Sequence, residues 1–228
     1  MNLSAFVAAA AHDMKNSICV ISAYLEDALS QLAAAPPGPP AQAAQLTTQA
    51  LYEAQRVNGN LVQLMAIYKL DEGMYPFDPV EVDLQDFADE ALARVRPLAQ
   101  IKGLTLEARV APGAQTGFFD RDLVASVVVQ SLFNSVRYAR STVRLELHAA
   151  PPGLQVVVED DGPGFPEFLL AQGFAAQQGI DTQSGSTGLG LYFARLVAER
   201  HRHGEHQGST QLDNHGVLGG GRFTLRLP

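Results

Sequence analysis

At 228 residues the chain has room for one large domain or two small ones, and a composition of 46% hydrophobic and 18% charged residues excludes wholesale disorder. A net charge of -8 without a cluster of lysine and arginine argues against a nucleic-acid partner, because backbone affinity needs such clusters. One cysteine, Cys19, excludes an internal disulfide framework and fits a reducing, cytoplasmic compartment, and no run approaches the roughly 18 apolar residues that a membrane-spanning helix needs.

From about residue 3 to Ala35 the apolar residues Leu3, Val7, Ala10, Met14, Ser17/Ile18, Ile21, Leu25, Ala28 and Leu32 recur at threes and fours, which predicts one helix with a continuous stripe. His12 is off that stripe, roughly 200° around the helix from both Ala10 and Met14, so its ring is expected to point away from the packed face. Asp13 stands beside it, which pairs an ionisable nucleophile with a carboxylate inside Ala11-His12-Asp13-Met14-Lys15-Asn16. Taken alone, a helical histidine is more often a packing or surface residue. Cys19, two turns further on, reads as a small helix-packing residue in preference to a redox sensor. No basic residue precedes the opening apolar run, so it reads as mature structure and not as a signal peptide.

Pro36-Pro37-Gly38-Pro39-Pro40 ends the helix, because proline lacks an amide donor and disfavours helix in the preceding residue. A second helix is predicted from about Ala41 to Leu70, with Leu46, Ala50, Val57, Leu61, Leu64 and Tyr68 as its stripe. Two helices of about 45 Å cannot enclose a core alone. Residues 1–70 are therefore expected to be a helical hairpin that forms a four-helix bundle in a homodimer. Residues 71–79 have the composition of a linker. Residues 80–228 predict a second domain: helix (Leu84 to Ile101), strand (Leu104 to Val110), helix (Asp120 to Ala139), strands (Thr142 to His148, Leu154 to Glu159), helix (Thr187 to His203) and closing strands near Thr210–Leu212 and Phe223–Leu227. That order suggests an α/β sandwich with helices on one face of a mixed sheet.

Three stretches of this domain carry chemistry. Val124, Val128, Leu132 and Val136 make a ridge at intervals of four, which leaves Gln130, Asn134, Arg137 and Tyr138 on another face. An amide there can offer oxygen to Mg²⁺ and a guanidinium can hold phosphate oxygens. Val156-Val157-Val158-Glu159-Asp160-Asp161-Gly162-Pro163-Gly164 delivers an acidic pair into a loop whose glycines permit close approach of a ligand, and a carboxylate in a pocket can accept a hydrogen bond from an exocyclic amine such as that of adenine. Gly185-Ser186-Thr187-Gly188-Leu189-Gly190-Leu191 feeds a helix start suited to an anion. Each motif alone has an ordinary reading as a solvated helix face or a turn; in this order the set is much harder to obtain by chance. His201, His203 and His206 read as a solvated loop, because their spacing does not converge on one metal ion.

The ordered set resembles the catalytic core of sensor histidine kinases, over essentially the whole chain. His12 to Asn16 looks like the phosphoacceptor box, Gln130 to Tyr138 the asparagine box, Asp160 to Gly164 the first glycine box and Gly185 to Leu191 the second. Gly219 to Pro228 looks like the family's last strand. The resemblance implies a dimerisation and histidine-phosphotransfer bundle followed by an ATP-binding α/β sandwich of the kind shared with gyrase and mismatch-repair ATPases. It further implies ATP and Mg²⁺ as cofactors, with Mg²⁺ held by Asn134 and the adenine amine by Asp160. Gln130, Arg137, Tyr138, Gly162, Gly164, Gly185, Thr187, Gly188, Leu189 and Gly190 would line the nucleotide site. His12 would be the nucleophile, Asp13 its base, Lys15 a charge-offsetting group and Asn16 a water-orienting residue for dephosphorylating the receiver. The implied partner is a response-regulator receiver domain.

The chain departs from the family pattern at Ser17, where many members have proline, at Gln130, where the first asparagine is usual, and in the lid, which offers only Phe174 as an aromatic. Eleven residues precede His12, so the signal is expected from a longer parent chain or from a separate sensor partner. The alternative reading is a dimeric phosphotransfer or scaffold protein whose ATP-binding domain is degenerate.

Overall fold

A computed structural model describes residues 14, 16–21, 23–25, 27–28, 41–151, 153–172 and 188–228. The chain divides into a helical unit, up to Tyr68, and a larger α/β unit built from most of the chain that follows.

In the helical unit, the described residues between 14 and 28 are helical and α1 spans Ala41–Asp71. Met14, Ser17 and Ala28 are buried, in keeping with the predicted stripe. Ser17 accepts a hydrogen bond from the Arg56 guanidinium, which also pairs with Glu53 at 2.9 Å, so a polar contact ties the first helix to α1 where proline was the family expectation. Of the predicted stripe of α1, Ala50 is buried and Leu46, Val57 and Leu64 are half-buried, while Leu61 and Tyr68 are exposed; Ala43, Glu53, Asn60, Gln63, Ile67 and Leu70 are buried beside it. Two rows of apolar residues compete on this helix, and the row with smaller and polar side chains faces its neighbour. The larger row is left outside: Leu61 is 44% and Met65 53% exposed, as is Ile18 at 54% on the first helix. Cys19 is exposed as well, contrary to the packing role expected for it. His12, Asp13, Lys15 and the prolines at 36–40 lie outside the described residues.

The α/β unit contains the predicted elements and several more. Its helices are α2 (Leu84–Lys102), α3 (Arg121–Tyr138), α4 (Glu167–Gln172) and α5 (Leu189–Arg200). Its strands are β1 (Val80–Asp83), β2 (Thr105–Val110), β3 (Thr116–Phe119), β4 (Thr142–Ala150), β5 (Gly153–Asp160), β6 (Arg202–His203), β7 (His206–Gln207), β8 (Ser209–Asp213) and β9 (Arg222–Leu227). The main sheet has the order β2-β4-β5-β9-β8, with β2 parallel to β4 and every other pair antiparallel, which makes it mixed as predicted. The two-stranded pairs β1–β3 and β6–β7 had no sequence signature, because strands of four and two residues are too short to show alternation.

Local chemistry explains the helix limits. Asp83 caps α2 by accepting from the amide of Asp86 (2.9 Å), and Gly103 ends it in the left-handed conformation at φ 68°. Asp120 caps α3 through the amide of Leu123 (3.0 Å), and Lys102 Nζ donates to the last carbonyls of α3, those of Val136 and Arg137, at 2.7 Å each. Val143, Leu145 and Leu147 on β4 and Phe223 and Leu225 on β9, which alternate with polar residues, and Val156 and Val158 on β5 are buried, forming the floor on which α2 and α3 pack.

The opposite face of the sheet carries a charge ladder across all five strands. Glu107, Arg144, Glu159, Arg222 and Asp213 are successive partners in the register. Arg144 bonds Glu107 at 2.8 Å and Glu159 at 3.1 Å, and Arg222 bonds Asp213 at 2.9 Å. Alternation of sign along the row turns what would be cross-strand repulsion into attraction.

His201 does not belong to a solvated loop. It is 4% exposed, because helix α5 stops at Arg200 and turns the ring inward. Its Nδ1 donates to the Val197 carbonyl (2.7 Å) and its Nε2 accepts from the Asp120 amide (3.0 Å), which defines the neutral tautomer and joins the end of α5 to the start of α3. Tyr75 Oη and the Asp78 amide, from the segment before β1, both donate to the Asp120 carboxylate at 3.2 Å, and the Phe77 ring meets that of His201 edge-on at 5.0 Å.

Two stability outcomes follow from these contacts. Burial holds the His201 pKa below the ordinary histidine value, outweighing the Val197 hydrogen bond and the nearby Asp120 charge that raise it. The unfolded chain therefore binds more protons below about pH 6.5, and the His201 contribution, full above that value, is lost as pH falls. The urea midpoint of wild type should drop between pH 7 and pH 5 more steeply than that of His201→Gln; parallel profiles would count against the assignment. Replacing Arg144 by alanine leaves Glu159 buried without its cation and should cost about 3 kcal/mol in chemical denaturation, whereas a loss under about 1 kcal/mol would show that solvent reaches the ladder.

Candidate functional site

The site is built where β5 ends beneath α3. Val124, Val128, Leu132 and Val136 are each fully buried, so the interval-of-four ridge is the packed face of α3. Gln130 is half-buried, and Asn134, Arg137 and Tyr138 are exposed, with the Arg137 guanidinium 5.3 Å from the Tyr138 ring centroid. Asn134 thus presents an uncharged, hard oxygen donor at the surface, beside a cation. That donor set fits Mg²⁺ which takes most of its other ligands from phosphate and water.

The two adjacent aspartates have opposite environments, because successive residues at a strand end point to opposite sides. Asp160 is 6% exposed. Its Oδ1 accepts from the Gly162 amide (2.9 Å), and the Ser135 hydroxyl on α3 also donates to the carboxylate. Its main chain is fastened on both sides, with its amide to Gly221 O at 3.1 Å and its carbonyl to Gly220 N at 3.0 Å. Burial pushes its pKa up, against the hydrogen bonds from Gly162, Ser135 and Gly221, and the neighbouring Asp161 charge adds to the rise.

Asp161 is instead a cap for the turn before β4. Its Oδ1 accepts from the amides of Arg140 (2.8 Å), Ser141 (3.0 Å) and Thr142 (3.1 Å), and its Oδ2 from the Ser141 hydroxyl (2.5 Å). Burial raises this carboxyl, but those donors outweigh it and hold it well below the usual carboxylate range. Of the pair, Asp160 alone is turned under α3 with an environment suited to reading a ligand donor.

The glycines here are steric requirements. A Cβ at Gly162 would stand 2.6 Å from the Tyr138 carbonyl oxygen, so the end of α3 and the first glycine loop touch through backbone. Gly164 has φ +82° and would meet the Asn214 side chain at 2.7 Å. Gly188 has φ +66° and precedes Leu189 and Gly190, the first residues of α5. Gly185, Thr187 and Phe174 lie outside the described residues, and Asn16 is exposed on its helix.

Ser135 was missed in the sequence, although its place one residue after Asn134, on the inward side of an amphipathic helix, is a usable signal. Asn214 carries no motif at all. Among the described residues, no group of three or more histidine, cysteine or acidic side chains converges to hold a metal, and the helix is not found that is long and apolar enough to cross a membrane.

Residues 119–228 match the family described as histidine kinase-, DNA gyrase B- and HSP90-like ATPases. A probable sensor histidine kinase of Mycobacterium tuberculosis is 26% identical over 192 residues, covering 84% of this chain and 48% of that protein. The phosphate regulon sensor protein PhoR of Pseudomonas aeruginosa is 29% identical over 209 residues, covering 86% and 45%. Among solved structures, the Acinetobacter baumannii histidine kinase AdeS aligns over 95% of this chain and 96% of its own at a TM-score of 0.62 and 16% identity, a likeness of fold. The chain spans less than half the length of these two curated relatives. Residues 119–228 therefore form an ATPase domain of the histidine kinase, DNA gyrase B and HSP90 kind, within a chain related to the catalytic cores of sensor histidine kinases.

Proposed function

We propose that the chain is an ATP-dependent protein histidine kinase core that phosphorylates its own His12 and passes the phosphoryl group to an aspartate on a response-regulator receiver domain. The observation that carries this reading is the Asp160 carboxylate, buried under α3, bonded by Ser135 and Gly162 and fastened by Gly220 and Gly221. A carboxylate so fixed accepts a hydrogen bond from the adenine amine with little reorganisation. Gln130, Arg137 and Tyr138 form the outer wall. Gly162 and Gly164 bring backbone close to the nucleotide, and Gly185, Thr187, Gly188, Leu189 and Gly190 offer amides to its phosphates. Asn134 would hold Mg²⁺, which offsets phosphate charge when bound.

In the transfer, Asp13 accepts the Nδ1 proton of His12 and orients the ring. Nε2 then forms a bond to the γ-phosphorus while the bond from that phosphorus to the bridging oxygen breaks and ADP leaves. Lys15 lies two positions past the flanking Asp13 and offsets charge on the moving group. Asn16 orients water in the reverse duty, dephosphorylation of the receiver. The domain plan is a hairpin over residues 1–70, a linker over 71–79 and the ATP-binding domain over 80–228. Exposed Ile18, Leu61, Met65 and Tyr68 support a homodimeric bundle, since an apolar row of this kind ordinarily meets a partner. A cytoplasmic location and a separate sensor partner complete the reading.

Purified protein with Mg²⁺ and γ-labelled ATP should acquire acid-labile, base-stable label that His12→Ala abolishes. Folded protein that takes no label would favour the phosphotransfer or scaffold alternative, and label on serine would contradict both. Asp160→Asn should weaken ATP binding about 10- to 100-fold, the range for a hydrogen bond to a charged group. Leu61→Glu combined with Met65→Glu should shift the sedimenting species from dimer to monomer; an unchanged dimer would place the contact elsewhere.

A further inference from the structure

The glycine loop that follows Asp160 is held by a residue from the far side of the sheet. The segment 214–221 joins β8 to β9, and Asn214 makes a reciprocal bond with Phe165: the Phe165 amide donates to Asn214 Oδ1 (2.7 Å) and Asn214 Nδ2 donates to the Phe165 carbonyl (2.9 Å). The same carboxamide occupies the space where a side chain on Gly164 would be, 2.7 to 2.8 Å from the ideal Cβ. Further along the segment, Gly220 and Gly221 bond the main chain of Asp160, and a Cβ on Gly221 would lie 3.0 Å from the Phe165 ring. The segment is itself anchored: Asp213 accepts from the His215 amide (2.9 Å) and pairs with Arg222, and the Val217 amide donates to Glu159 Oε2 (3.0 Å).

A primary carboxamide is the side chain that both donates to a carbonyl and accepts from an amide of one residue, as a paired strand does. Alanine does neither, and an ionised aspartate only accepts. We infer that Asn214 is a positioning residue of the nucleotide site, which fixes the Gly162–Phe165 turn against Asp160 and so sets the shape of the base end of the pocket. This rests on the nucleotide reading proposed above. It concerns the purine, since among the described residues Asn214 hydrogen-bonds Phe165, in the loop that follows Asp160.

The test compares wild type, Asn214→Ala, Asn214→Asp and Asp160→Asn, as full chains, for binding of ATP and of tripolyphosphate, with thermal melting on each. Asn214→Ala should bind ATP about tenfold more weakly, the worth of two neutral hydrogen bonds. Asn214→Asp should fall between it and wild type, and tripolyphosphate, which has no base, should bind all four alike. Equal ATP affinity in wild type and Asn214→Ala, with the loss confined to Asp160→Asn, overturns this inference and leaves the nucleotide reading intact. Parallel loss of ATP and tripolyphosphate affinity in Asn214→Ala also overturns it, since that is the mark of general loosening. No ATP binding by folded wild type overturns the nucleotide reading and this inference together.

Discussion

Three consecutive carboxylates, Glu159 and Asp160 at the end of the central strand β5 and Asp161 just past it, stand together, and the α/β unit is arranged so that each meets a different set of donors. Glu159 is answered on the sheet face by Arg144 and by the Val217 amide, Asp160 under α3 by Ser135 and Gly162, and Asp161 at the turn by Arg140, Ser141 and Thr142. Left in water-poor surroundings without those donors, three neighbouring acids would repel one another and draw protons. With them, the outer two become structural anchors and the middle one is left with capacity for a ligand. This division of labour is the physical basis of the site.

The anchors also link the site to the rest of the fold. Glu159 belongs to the ladder that crosses all five strands, and through Val217 it holds the segment whose glycines bond Asp160. Asp161 fixes the turn that follows α3, the helix bearing Asn134. At its other end, α3 starts at Asp120, which the buried His201 ties to α5 and which Tyr75 and Asp78 tie to the segment before β1. The helices of the proposed nucleotide site are thus held, at the ends away from Asp160 and Gly188, by one small group of polar contacts.

Much of this was legible in the sequence where the signal was local and periodic. The valines and leucine of α3 at intervals of four correctly divided that helix into a packed ridge and an outward face with Gln130 and Asn134. The run Val156-Val157-Val158 marked a buried strand ending in acids. On α1 the same method located the buried face only in part, because the buried row includes the polar Glu53, Asn60 and Gln63, which apolar periodicity does not mark, while Leu61 and Tyr68 of the predicted stripe are exposed. Contacts between residues distant in the chain left no trace: β1 with β3, Asn214 with Phe165 across 49 positions, and His201 with Asp120 across 81. A reciprocal carboxamide bond or a buried histidine has no repeat to detect, and only the folded chain shows it.

The central claim is that the Asp160 carboxylate reads the exocyclic amine of adenine, and it is tested most directly by calorimetric titration of the wild-type chain with ATP and with inosine triphosphate, whose six-position carries a carbonyl. The account predicts that ATP binds more tightly by about 10- to 100-fold, and that this preference collapses in Asp160→Asn. Equal affinity of wild type for the two nucleotides would contradict it.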